Sequence, residues 1–122
     1  MEAITLAKEL IGFNTINPPG NEEGVAKYIG NILARYGFSI DYPKFGEGRL
    51  NIVATKGLSD EAKPIVLTGH LDVVPLGTNK WQTDPFDAVV VGDKLFGRGS
   101  SDMKGGIAAM LLASIDCFKK TS

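Results

Sequence analysis

One cysteine, Cys117, is the only thiol in this 122-residue chain, so it can form no internal disulfide and offers no Cys-rich zinc site. Charge of either sign is in short supply as a surplus: 13 Lys and Arg stand against 14 Asp and Glu, a net charge of -1. No basic stripe of the kind that tracks phosphates is present, which argues against nucleic acid as a partner. No apolar run approaches the roughly 20 residues that cross a bilayer, so no membrane role is expected. The opening Met1-Glu2-Ala3-Ile4 lacks the basic, apolar and small-residue series of a secretion signal, and a cytosolic location is the expectation. Histidine is as scarce as cysteine. His70 is the only one.

What is present reads as globular. The chain is 43% hydrophobic and 22% charged, and its length suits one ordinary domain or part of a larger one. Ile4, Ala7, Leu10 and Ile11 have helical spacing, with Gly12 as a stop. Asn17-Pro18-Pro19-Gly20 is a loop, because proline lacks the donor a helix needs. Asn21 is a fitting N-cap for a second helix, with Glu22 and Glu23 in its first turn. Val25, Tyr28, Ile29, Ile32, Leu33 and Tyr36 form that helix's apolar stripe, which Gly37 ends. Strands are expected over 38–42 and 51–55, and Pro64-Ile65-Val66-Leu67-Thr68 suits a buried central strand. Residues 88–91 and 94–96 read as a hairpin around Gly92-Asp93. A last helix runs from Lys104 to Lys120, with Ile107, Met110, Leu111, Ile115 and Phe118 on or near one face. The order α-α-β-β-β-β-β-α predicts an α/β fold, a mixed twisted sheet flanked by helices.

The chemistry gathers in two stretches, Thr68-Gly69-His70-Leu71-Asp72 and Gly97-Arg98-Gly99-Ser100-Ser101-Asp102-Met103-Lys104-Gly105-Gly106. His70 and Asp72 lie at i and i+2 beyond an expected strand. An extended backbone points both side chains the same way, about 6.8 Å apart. Neutral imidazole is a common zinc ligand, and a neighbouring carboxylate can accept its other N–H or bind metal itself. A packed histidine beside a turn-capping aspartate fits the same three residues equally well. Asp102, before a helix in a glycine-dense loop, reads either as a metal ligand or as an N-cap. Other chemistries fit less well. The glycine-dense stretch lacks P-loop spacing. Ser100 or Ser101 with His70 and Asp72 lacks the nucleophile elbow of a serine triad. Cys117, late in a helix, reads as a small core residue. Trp81 with Pro85-Phe86 either walls a site or simply packs, and Arg98 reads as reaching solvent.

Three ordered blocks resemble one known family. Thr68-Gly69-His70-Leu71-Asp72-Val73-Val74-Pro75, Trp81-Gln82-Thr83-Asp84-Pro85-Phe86 and Leu95-Phe96-Gly97-Arg98-Gly99-Ser100-Ser101-Asp102-Met103-Lys104-Gly105-Gly106 are similar to the M20 metallopeptidases. That group includes acetylornithine deacetylase, succinyl-diaminopimelate desuccinylase, aminoacylase-1 and glutamate carboxypeptidase. Thr15-Ile16-Asn17-Pro18-Pro19-Gly20-Asn21-Glu22 resembles the loop before the family's second helix. The resemblance implies a site with two metal ions, zinc or sometimes cobalt. In it His70 matches the ligand of one ion and Asp102 the carboxylate that bridges both. Asp72 matches the catalytic-site carboxylate that orients His70 without touching metal. A cis peptide after the bridging aspartate, here Asp102-Met103, is also implied.

The family further needs a Glu-Glu pair, another acidic ligand and a late second histidine, none of which follows Asp102 here. Residues 1–122 therefore look like the N-terminal portion of such a catalytic domain, without its lid and dimerisation domain. The implied parent is a metal-dependent amidohydrolase removing the acyl group from a small N-acyl amino acid, in a homodimer. A di- or tripeptidase or carboxypeptidase acting on short peptides is the alternative. The chain alone is expected to be inactive, and a non-catalytic, self-associating role is the competing class.

Overall fold

The computed structural model describes residues 1–121, with side chains through Lys119. Its elements in order are α1 (Ala3–Ile11), α2 (Glu23–Arg35), β1 (Ser39–Asp41), β2 (Lys44–Gly46), β3 (Arg49–Leu50), β4 (Val53–Thr55), β5 (Val89–Val91), β6 (Lys94–Phe96) and α3 (Lys104–Thr121). The α/β class is as expected. The sheet content is three antiparallel pairs, β1 with β4, β2 with β3 and β5 with β6. One isolated parallel bridge joins Ile16 to Val73.

Helical periodicity explains the core. Leu6, Ala7 and Leu10 of α1, Val25, Ile29, Ile32 and Leu33 of α2, and Ile107, Ala108 and Ile115 of α3 form one buried cluster. These positions recur at three and four residues, so each helix turns one stripe inward. α1 packs on α3, while α2 covers β1 and β3. Gly37 stops α2 with φ 85°, a left-handed backbone that a side chain would strain. Gly12 stops α1 differently, with a right-handed φ of -61°. No helix among the described residues is long and apolar enough to cross a membrane.

Three local expectations are corrected. Asn21 does not cap α2; Glu22 holds that position and makes no side-chain cap. Its carboxylate is drawn to Arg49, whose Nε and Nη2 donate to it at 3.1 and 2.7 Å. The Glu23 N–H finds its acceptor in the Gly48 carbonyl at 3.1 Å. The second correction is the run 64–68, which joins no ladder. Ile65 and Val66 are 89% and 78% exposed. A strand needs a partner edge for its N–H and C=O groups, and no strand among the described residues lies alongside this one. Third, Cys117 is exposed. The buried face of α3 passes through Ala108 and Ile115, and two residues beyond Ile115 is the opposite side of a helix.

The hairpin around Gly92-Asp93 forms as expected, with Val91 opposite Lys94. Gly92 takes φ 63° and Asp93 does not take a positive φ, the arrangement of a type II′ turn. The β2–β3 hairpin was not anticipated. Its only sequence signal is the glycine pair Gly46 and Gly48 around Glu47.

Candidate functional site

Two separate stretches meet at His70. The first is held by the loop after α1. Val73 N–H donates to the Thr15 carbonyl at 3.0 Å, and Asn17 N–H to the Val73 carbonyl at 2.8 Å. The buried Thr15 hydroxyl donates to the Leu71 carbonyl at 2.6 Å. Asn17 Nδ2 donates to Asp72 Oδ2 at 3.0 Å. The loop that resembles the family's stretch before its second helix thus fixes both residues that follow His70.

The second stretch bends back at the start of α3. The Asp102–Met103 peptide is cis, as the resemblance implied. Lys104 N–H donates to the Gly99 carbonyl at 2.7 Å, closing the loop that carries Asp102. Met103 Sδ lies 3.4 Å from the His70 backbone N–H. The Lys104 side chain is fully buried, and its Nζ donates to the Phe13 carbonyl at 2.7 Å, tying the end of α1 to the start of α3. Composition did not single out Lys104, because a lysine at a helix start reads as a solvated charge.

The imidazole then spans the gap. Nε2 is 2.8 Å from Asp102 Oδ1. Nδ1 is 3.1 Å from both Asp72 Oδ1 and the Asp72 carbonyl oxygen. Each ring nitrogen faces an oxygen acceptor, so a protonated ring donates on both sides, and a neutral ring on the side that its tautomer sets. Partial burial pulls the His70 pKa down, but the Asp72 carbonyl, the Asp102 hydrogen bond and the two carboxylate charges together raise it above the ordinary histidine value. The Asp102 side chain is 81% exposed and points at His70, not at the helix start, so it does not act as an N-cap. The three residues singled out by sequence are therefore together.

The donor types suit zinc. An ion held between Nε2 and a carboxylate oxygen at ordinary bond lengths and a tetrahedral angle needs them about 3.4 Å apart. The present 2.8 Å is within a small swing of the exposed Asp102 side chain. The number of donors is short: among the described residues no group of three or more His, Cys, Asp or Glu side chains converges to hold an ion.

Behind the pair lie two depressions. A groove of about 540 Å³ runs past Ile29, Leu33, Ala54, Ile107 and His70. A smaller one, about 330 Å³, lies between Trp81, Phe96, Arg98 and Asp102. Arg98 does not simply reach solvent. It is half-buried, with its guanidinium 5.0 Å from the Trp81 ring centre, so Trp81 walls the smaller depression and packs at once.

Residues 66–120 match the peptidase family M20/M25/M40. Over 117 residues the chain is 39% identical to a succinyl-diaminopimelate desuccinylase of Orientia tsutsugamushi (strain Boryong), an alignment covering 94% of this chain. The chain spans 29% of the length of that relative. The family match takes in His70, Asp72, Asp102 and the cis peptide, and the relative extends the likeness over α1, α2 and the loop between them, so the chain is similar to the M20/M25/M40 peptidases across the part that carries the candidate site.

Proposed function

We propose that this chain supplies part of the metal centre of an amidohydrolase that removes the acyl group from a small N-acyl amino acid, of the deacetylase or desuccinylase type. The likeness to a desuccinylase supports an acylated amino acid over a peptide as substrate. His70 and Asp102 would hold the metal, zinc before cobalt, and Asp102 would be the carboxylate shared between two ions. Residues 1–122 are the N-terminal portion of the catalytic domain. The observation that carries this reading is the 2.8 Å contact between His70 Nε2 and Asp102 Oδ1, made across more than thirty residues of intervening chain.

Zinc bound there would polarise the amide carbonyl and acidify a bound water. The chain's own residues prepare that site. Asp72 keeps a proton on Nδ1, so the neutral ring presents its lone pair at Nε2. Asn17 holds the other oxygen of Asp72 and so fixes the plane of the ring. Asp102 brings two oxygens on an exposed side chain whose backbone is set by the Gly99–Lys104 bond. In this reading none of the three moves a proton.

Zinc titration by calorimetry tests this. The chain binds zinc weakly, since each ion lacks its usual four ligands. Binding disappears in His70→Ala and Asp102→Ala and falls about 10–100-fold in Asp72→Asn. The purified chain hydrolyses neither N-acetyl nor N-succinyl amino acids. Zinc affinity unchanged in His70→Ala would overturn the metal assignment, and metal-dependent hydrolysis would show the site to be complete.

A further inference from the structure

The stretch 74–87, between Asp72 and β5, contains no helix or strand, yet it separates the two segments that meet at His70. Arg98 touches it at three places. Its backbone N–H donates to the Pro85 carbonyl at 2.8 Å. Its Nη2 donates to the Pro75 carbonyl at 3.2 Å. Its guanidinium lies over the Trp81 ring, 5.0 Å from the ring centre, and Trp81 Nε1 in turn donates to the Leu76 carbonyl at 3.2 Å. Pro75 lies three residues after Asp72, and Arg98 four residues before Asp102. One side chain therefore fastens the chain leaving His70 to the chain arriving at Asp102.

The arrangement carries a cost. Arg98 Nε is buried and has no hydrogen-bond partner among the described residues. A buried donor left unpaired is unfavourable, so a flexible arginine would leave this position unless its other contacts held it there. The guanidinium makes those contacts at once, Nη2 on the Pro75 carbonyl and the cation over the Trp81 indole.

We infer that Arg98 is a positioning residue: clamped between Trp81 and the Pro75 carbonyl, it sets the separation of His70 and Asp102 without touching either. The inference rests on the metal reading only for its consequence, a tuned zinc affinity. The clamp acts on the spacing in the metal-free chain as well.

The test uses the whole 122-residue chain with and without zinc. Without metal, a nuclear Overhauser contact between the His70 ring and the Asp102 β protons reports the spacing, and the ring ¹⁵N shifts report the Nε2 hydrogen bond. In Arg98→Met the contact falls by half or more and the Nε2 shift moves, while far-ultraviolet circular dichroism stays as in the parent chain. Zinc affinity falls about tenfold. Should Arg98→Met not fold, Trp81→Leu removes the stacking face and the Leu76 bond and gives the same signature. An unchanged His70–Asp102 contact in either folded variant overturns the proposal. So does failure of both variants to fold, since the clamp then serves the fold and not the spacing. If the parent chain binds no zinc while the metal-free contact is still lost in Arg98→Met, the metal reading fails and the clamp stands.

Discussion

Lys104 shows how one residue can bear on both stability and site. Its aliphatic stem is enclosed at the junction of α1 and α3, and among the described residues its Nζ donates to the Phe13 carbonyl. Burial disfavours the charged form and pushes its pKa down to about 8. The unfolded chain keeps an ordinary lysine pKa near 10.4. Between those values the unfolded chain binds more protons than the folded one, so stability rises with pH across that window. The rise attributable to Lys104 is about 3 kcal/mol. Urea unfolding at pH 7.5 and pH 10.5 should show it as a difference between the parent chain and Lys104→Met, which keeps the stem and loses the titration. Equal pH slopes for the two would place the ammonium in water.

At the scale of elements, the start of α3 is the sensitive place. Two adjacent glycines open it, and they are not equivalent. A Cβ on Gly105 would collide with the Ser100 carbonyl oxygen, a backbone atom in the loop that carries Asp102. A Cβ on Gly106 would meet only the Met103 Cε, at an ordinary 3.7 Å. Gly105→Ala is therefore expected to cost about 1–3 kcal/mol by forcing that loop to shift. Gly106→Ala should gain up to about 1 kcal/mol from helix propensity. Thermal melts of the two single variants check the pair, and equal effects would mean that the loop yields freely. The helices themselves were legible in sequence because their stripes repeat at three and four residues. The α2 cap was not legible, since Arg49 competes for Glu22 from 27 residues away and no local rule contains that competition.

At the scale of the whole molecule, an apolar surface stands uncovered. Ile65, Val66 and Leu67 are 89%, 78% and 55% exposed, beside the groove that runs over Ile29, Leu33 and Ile107. Contiguous apolar surface of this sort favours association. The double variant Ile65→Lys, Val66→Lys should lower binding of a hydrophobic dye and the concentration-dependent mass seen in sedimentation. Its unfolding free energy should stay within about 0.5 kcal/mol of the parent, because neither side chain packs. A large loss of stability would show that the run is part of the core after all.

Sequence by itself determined the three helices and their inward faces, the β5–β6 turn, and the two stretches that carry His70, Asp72 and Asp102. Each depends on neighbours a few residues apart: a helical repeat, a turn dipeptide, or a short ordered motif. Only tertiary structure decided that Asp102 faces His70 instead of capping α3, that Lys104 is enclosed, and that Arg98 lies on Trp81. It also decided that 64–68 stands unpaired, although its residues are those of a central strand. These outcomes depend on which distant groups arrive alongside, and a strand or an ion pair is made by its partner as much as by its own residues.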